Sequence, residues 1–198
     1  MRQGQRARAP VLGLVVGSLL VVGNPIAALT DEPSVERLRA CAGCHGETGN
    51  SKLERVPSLA GQPALFTINQ LILMRERIRQ VEVMAPFVAD LTDREIEALA
   101  AYYARQKPER SEERVDAALA ARGAQAAQKL QCGTCHLPDY SGREQIPRLA
   151  MQRIDYLIEA LKAYRDNGRI GSDTSMNEVM YGVSDGDAVA LAHFLASR

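Results

Sequence analysis

Apolar residues recur close to every 3.6 positions between Pro63 and Arg79, where Leu65, Phe66, Ile68, Leu71, Ile72 and Ile78 line one face, which predicts an amphipathic helix. The interval Ile154 to Arg165 repeats the pattern with Leu157, Ile158, Leu161 and Tyr164. Thr92 followed three residues later by Glu95 reads as a capping-box helix start, and Ser184 with Asp187 as a weaker version of it. An Ala-rich segment from Glu113 to Gln131 predicts a long helix, whose counterpart near Ser34 to Ala40 is short. No convincing strand run interrupts these elements, so the expected class is all-α.

The elements come in two similar sets. Pro57-Ser58-Leu59-Ala60-Gly61-Gln62 matches Pro147-Arg148-Leu149-Ala150-Met151-Gln152. Phe66 then matches Tyr156, Leu71 matches Leu161, and Arg75 and Arg79 match Arg165 and Arg169. The Leu91-Thr92-Asp93 start corresponds to Val183-Ser184-Asp185, so the chain is a tandem duplication. The polar, proline-interrupted stretch from Gln106 to Ser111 marks the boundary, giving a first domain at 29–107 and a second at 112–198. Halves of this size bury little on their own, so a bound cofactor is a natural supplement to the core.

Composition narrows the class. The 198 residues are 46% apolar, with 24 Lys+Arg against 24 Asp+Glu, which excludes a basic nucleic-acid module, a disordered tail and a polytopic membrane protein. Arg2, Arg6 and Arg8 precede an apolar run from Val11 to Val22, then Asn24-Pro25 and the small residues Ala27 and Ala28. Residues 1–28 therefore read as a secretory signal peptide, with an uncleaved anchor as the alternative. The remainder is expected to face an export compartment.

Four cysteines in such a compartment would ordinarily form disulfides. Here they fall as Cys41-Ala42-Gly43-Cys44-His45 and Cys132-Gly133-Thr134-Cys135-His136, two copies of the C-x-x-C-H sequence that attaches c-type haem. Two thiols three residues apart on a helical turn can add to two vinyl groups on one porphyrin edge, and the next residue aims its imidazole at the iron. A zinc site would pair its C-x-x-C units some 15 to 20 residues apart, far closer than Cys44 and Cys132.

A sixth iron ligand decides what such haems can do. Met84 lies seven residues before Leu91, and Met176 seven before Val183, so the repeat selects Met84 and Met176, with Met180 as the alternative. Met74 sits within an amphipathic helix and reads as a core residue. Thioether opposite imidazole stabilises the reduced iron, and two filled axial positions leave only electron transfer. His193 reads as a packing or surface residue; Arg75, Arg79, Arg165 and Arg169 read as a solvated helix face, with haem propionates as alternative partners.

Over nearly all of the chain after residue 28, the two C-x-x-C-H motifs, the P-x-L-A-x-Q repeats, the Met positions and the (L/V)-(T/S)-D helix starts resemble the two-haem cytochrome c4 family. The resemblance implies two tandem class I cytochrome c domains, with Cys41, Cys44, Cys132 and Cys135 holding two covalent haem c groups and His45 and His136 as iron ligands. It also implies that the carbonyls of Pro57 and Pro147 accept hydrogen bonds from the ligand imidazoles, and that Tyr102 and Phe194 pack against the helices bearing Cys41 and Cys132. The implied function is that of a periplasmic carrier of single electrons, not an enzyme in its own right. Its implied partners are redox proteins: a donor complex, a terminal oxidase or reductase, or a flavoprotein subunit, with peripheral membrane association and no nucleic acid. The alternative is an electron-accepting subunit of a periplasmic dehydrogenase, as in flavocytochrome c sulfide dehydrogenase. Within this resemblance Leu137 stands where the first half has Gly46, and Met151 where it has Gly61.

Overall fold

The computed structural model describes Met1, residues 32–169 and residues 174–198. Residues 2–28 of the predicted signal segment, residues 29–31 of the predicted first domain and residues 170–173 of the second lie outside the described residues. Among those described there are helices and no sheet; one isolated bridge joins Arg143 and Ile146. Residues 31–198 form one compact unit, within which both halves pack.

In the first half, α1 (Val35–His45) starts at Ser34, whose side chain accepts from the Arg37 amide, and runs unbroken through the first C-x-x-C-H motif. Next come α2 (Ala64–Arg75) and a 3-10 turn, Glu82–Met84, that leads into the short α3 (Ala85–Val88). The half closes with α4 (Asp93–Ala104), and the expected Thr92–Glu95 capping box is fully formed at its start. The helix predicted to reach Arg79 stops at Arg75 because Arg77 turns left-handed, with φ of 57°.

The second half contains α5 (Ala117–Lys129), α6 (Cys132–His136), α7 (Ile154–Arg165), α8 (Ser175–Met180) and α9 (Asp185–Ala196). Here the helix before the motif is broken: Gln131 adopts a left-handed φ of 55°, so α5 and the motif helix α6 are separate. Gly123 lets α5 cross α9 at backbone contact, since a Cβ there would fall 2.0 Å from the Ala190 carbonyl oxygen and 2.7 Å from Phe194 Cβ. That crossing brings Phe194 against α5 rather than against the motif helix that bears Cys132, and Phe194 and Cys132 meet only as neighbours of the same apolar cluster.

Repeated polar clamps close each half. Arg75 on α2 donates to the Leu91 carbonyl and to Asp93, while Arg165 on α7 donates to the Val183 carbonyl and to Asp185. These arginines tie a middle helix to the start of the last helix; they are neither a free solvated face nor cavity-lining groups. The Gln106–Ser111 connection is also anchored. Asn50 donates to the Lys107 carbonyl and accepts from the Glu109 amide, and Arg110 donates to the Ser197 carbonyl at 2.6 Å. Glu113 then caps α7 by accepting from the Ile154 and Asp155 amides.

Candidate haem sites

Each C-x-x-C-H motif ends in a buried imidazole. His45 is 7% exposed and His136 4%. His45 Nδ1 lies 2.8 Å from the Pro57 carbonyl oxygen, and His136 Nδ1 lies 2.9 Å from that of Pro147. A carbonyl only accepts, so Nδ1 carries the proton and donates, leaving each Nε2 with a free lone pair. Burial pulls both histidines below the ordinary imidazole range, with the proline carbonyls opposing it, so both stay neutral and able to bind a metal.

A cavity of about 670 Å³ is lined by Cys41, Cys44, His45, Met74 and Met84 from the first half and by His136, Pro147 and Met176 from the second. Cys132 instead packs between two apolar clusters of the second half, and Cys135 is exposed. No disulfide joins any of the four cysteines. Burial raises the Cys41 and Cys132 thiols above their usual range. Met180 is 1% exposed and packs with Ala127, Leu161 and Leu191, which is a core position. Met176 reaches the cavity, as does Met84; Met74 does so too while packing in the first-half core.

Arg79 and Arg169 differ from the solvated face expected for them. Both line the cavity, and Arg169 is 8% exposed. Arg79 donates to Gln70 Oε1 at 2.6 Å and Arg169 to the Tyr156 hydroxyl at 3.1 Å. Burial and the nearby Arg169 lower the Arg79 guanidinium. Burial opposes ionisation of Tyr156, yet the two guanidinia outweigh it and pull that phenol down to about 8. Neither arginine meets a carboxylate among the described residues, and Arg169 Nε and Arg148 Nη2 are buried without a partner. A cavity with two thiols, two imidazoles and three thioethers on its walls, plus buried uncompensated cations, fits a flat apolar iron-binding group that carries carboxylates.

Sequence reasoning passed over three groups here. Tyr103 is 2% exposed, lines the same cavity and turns its hydroxyl toward Cys41, without an oxygen or nitrogen partner among the described residues. Gln62 and Gln152, the last residues of the repeated P-x-L-A-x-Q motif, are buried at the contact between halves. Arg148 crosses that contact by donating from Nε to the Ala60 carbonyl at 3.0 Å.

Comparison with known proteins agrees with this arrangement. Residues 35–102 match the family model "Cytochrome C oxidase, cbb3-type, subunit III", and residues 120–198 match "Cytochrome c". A cytochrome c4 from Thiocapsa roseopersicina is 31% identical over 78% of this chain and 85% of its own length. A thiosulfate dehydrogenase electron acceptor from Stutzerimonas stutzeri strain A1501 is 34% identical over 80% of this chain and 78% of its own. The crystal structure of reduced recombinant cytochrome c4 from Pseudomonas stutzeri superimposes with a TM-score of 0.76 at 28% identity, covering 82% of this chain and 95% of that one. Fold, motifs and buried imidazoles define a c-type cytochrome made of two tandem class I domains. The chain belongs to the cytochrome c4 family, and as such it is a dihaem electron-transfer protein with two covalent haem c groups and redox proteins as partners. Among the described residues no helix is long and apolar enough to cross a membrane.

Proposed function

We propose that residues 29–107 and 112–198 each hold one haem, bound through Cys41 and Cys44 or through Cys132 and Cys135, with axial pairs His45/Met84 and His136/Met176. The observation that carries this reading is the pair of buried imidazoles, each fixed by a proline carbonyl on a cavity that Met84 and Met176 also line. When bound, each haem supplies a one-electron couple whose potential the methionine sulfur raises. The polypeptide does the rest. Pro57 and Pro147 hold the imidazole planes and increase their basicity. Arg79 and Arg169 offset carboxylate charge inside the cavity, and Val88, Leu91 and Leu99 keep water from its first-half wall. The basic start and apolar run of residues 1–28 support export, and with it the reading of a periplasmic carrier between respiratory donor and acceptor proteins.

A second reading, the electron-accepting partner of a periplasmic dehydrogenase, is favoured by the resemblance to thiosulfate dehydrogenase electron acceptors. Exposed Val83 and Phe87 near Met84, and exposed Val179 and Tyr181 at the C-terminal end of the helix that carries Met176, offer apolar contact area for either class of partner. The oxidised protein is expected to show the methionine-to-iron absorption band, and Met84→Ala and Met176→Ala each to remove it from one haem. Retention of the band at both haems in either variant would reject that ligand. Reduction of the purified protein by a thiosulfate dehydrogenase at a rate far above that with a quinol-oxidising complex would select the second reading.

A further inference from the structure

The contact between halves is reciprocal. Ser58 N–H donates to Gln152 Oε1 at 2.7 Å, and Gln152 Nε2 donates back to the Ser58 carbonyl at 2.9 Å. Arg148 N–H donates to Gln62 Oε1 at 3.0 Å, and Gln62 Nε2 returns to the Arg148 carbonyl at 3.0 Å. Ser58, Gln62, Arg148 and Gln152 are all at most 4% exposed, so these bonds form away from water. The donor pattern leaves each carboxamide one orientation, its oxygen toward an N–H and its nitrogen toward a carbonyl.

The covalent position of the two amides matters more. Ser58 N–H and the Pro57 carbonyl belong to one peptide unit, and that carbonyl accepts from His45 Nδ1. Arg148 N–H and the Pro147 carbonyl are likewise one unit, accepting from His136 Nδ1. Withdrawing the amide proton toward a carboxamide oxygen pushes electron density onto the carbonyl oxygen of the same unit, because hydrogen bonds in series polarise one another. A more negative carbonyl draws harder on the imidazole Nδ1–H and makes the ring a better electron donor at Nε2.

We propose that Gln152 and Gln62 are crossed positioning residues: each glutamine sets the electron-donating strength of the histidine in the opposite half, through the peptide unit that histidine binds. The inference rests on His45 and His136 being the iron ligands. Each domain thereby tunes the reduction potential of the other's centre, and the tuning exists only while the halves stay docked.

The test is a redox titration of the holoprotein in which the two haems are followed separately by NMR of their methionine methyl groups. Gln152→Met keeps the side-chain length without the carboxamide. It should raise the reduction equilibrium constant of the His45 haem by roughly three- to tenfold, tenfold being about 59 mV for one electron, and move the His136 haem much less. Gln62→Met should give the mirrored result. Equal movement of both haems, or no movement, overturns the proposal, since a merely loosened interface has no reason to discriminate in this crossed sense. In the fully reduced protein the His45 Nδ1 proton should move upfield in Gln152→Met and stay downfield in Gln152→Glu, which keeps an acceptor oxygen. In the unsubstituted protein, through-bond coupling between the Ser58 amide nitrogen and the Gln152 side-chain carbonyl carbon should be detectable; its absence overturns the proposal even if no variant folds. Two haems ligated by His45 and His136 with unshifted potentials would reject this inference alone, whereas a different proximal ligand would reject the reading beneath it.

Discussion

In the loop that follows each C-x-x-C-H motif the two halves follow one backbone path with different side chains at its tightest points. Gly46, Gly49 and Gly61 have φ of 83°, 78° and 64°, and their counterparts Leu137, Tyr140 and Met151 have 69°, 60° and 55°. The hydrogen bonds match: Gly49 accepts from Leu59 and Ala60 amides, and Tyr140 from Leu149 and Ala150. At Gly49 the missing side chain is a necessity, because a Cβ would lie 2.7 Å from the Tyr103 ring and 2.9 Å from the Ala60 amide nitrogen. In the second half Leu195 stands in place of Tyr103, and the ring comes from the loop instead, with Tyr140 meeting Phe194 edge-on at 5.4 Å. Both arrangements set a tyrosine close to the first cysteine of the motif, Tyr103 by Cys41 and Tyr140 by Cys132. Duplication thus preserved the chain path and the aromatic group near the thiol, while the element supplying that group changed.

The largest expected effect breaks this exchange on the second-half side. Tyr140→Gly relieves a left-handed residue but removes a ring that is 8% exposed and belongs to the second-half core. Loss of the buried ring should cost about 4 kcal/mol, far more than the backbone relief of about 1 kcal/mol returns. Chemical denaturation monitored at each haem should show the His136 site melting first.

Next comes the reciprocal change. Gly49→Ala forces a Cβ into the Tyr103 ring at positive φ, and should destabilise the first half by about 2 kcal/mol. Adding Tyr103→Leu, which copies the second half's pairing, should recover part of that loss in the same denaturation experiment, because the ring contact disappears while the Ala60 contact stays.

A smaller difference lies in how the first helix is tied to the last. Arg37 on α1 pairs with Glu95 at 2.9 Å and Asp90 at 3.0 Å, whereas among the described residues Arg122 on α5 pairs with Asp187 alone. The Thr92 amide, Arg37 and the Thr92 hydroxyl together depress Glu95 to about 2. An unfolded glutamate titrates near 4.3, so this stabilisation is complete above about pH 4.3 and is lost as pH falls from there toward about 2. Arg37→Ala should lower first-half stability by about 1 kcal/mol at neutral pH, and Glu95→Gln should flatten the acid slope of the urea midpoint.

The sequence was most legible where a local rule acts alone. The 3.6 period placed α7 at Ile154–Arg165, and the capping box placed the start of α4, because periodicity and caps need no information from distant residues. Helix ends set by left-handed residues were not legible: Arg77 and Gln131 carry no local signal for positive φ, and α1 was expected to end at Ala40 yet runs to His45. Arg79 and Arg169 read as surface because guanidinium usually is; only their recurrence at one offset hinted at burial. The glutamines were visible as a repeated motif, but their reciprocity depends on how the two copies face each other, which a single chain of letters does not contain.

The smallest effect tests whether the second half still bears a cost where the first has none. Met151 sits at φ 55° in the place of Gly61, whose own Cβ position lies 2.5 Å from Pro108 Cγ. The first half therefore cannot accept a side chain there, while the second half accepts one in a conformation that disfavours it. Met151→Gly removes the left-handed penalty of about 1 to 2 kcal/mol, offset by the greater freedom glycine has in the unfolded chain and by the loss of partly buried side-chain contacts. The net expectation is a stabilisation of about 0.5 kcal/mol, read as a small upward shift of the denaturation midpoint at the His136 haem alone. A loss of stability would instead mean that the methionine side chain contributes more packing than its backbone conformation costs.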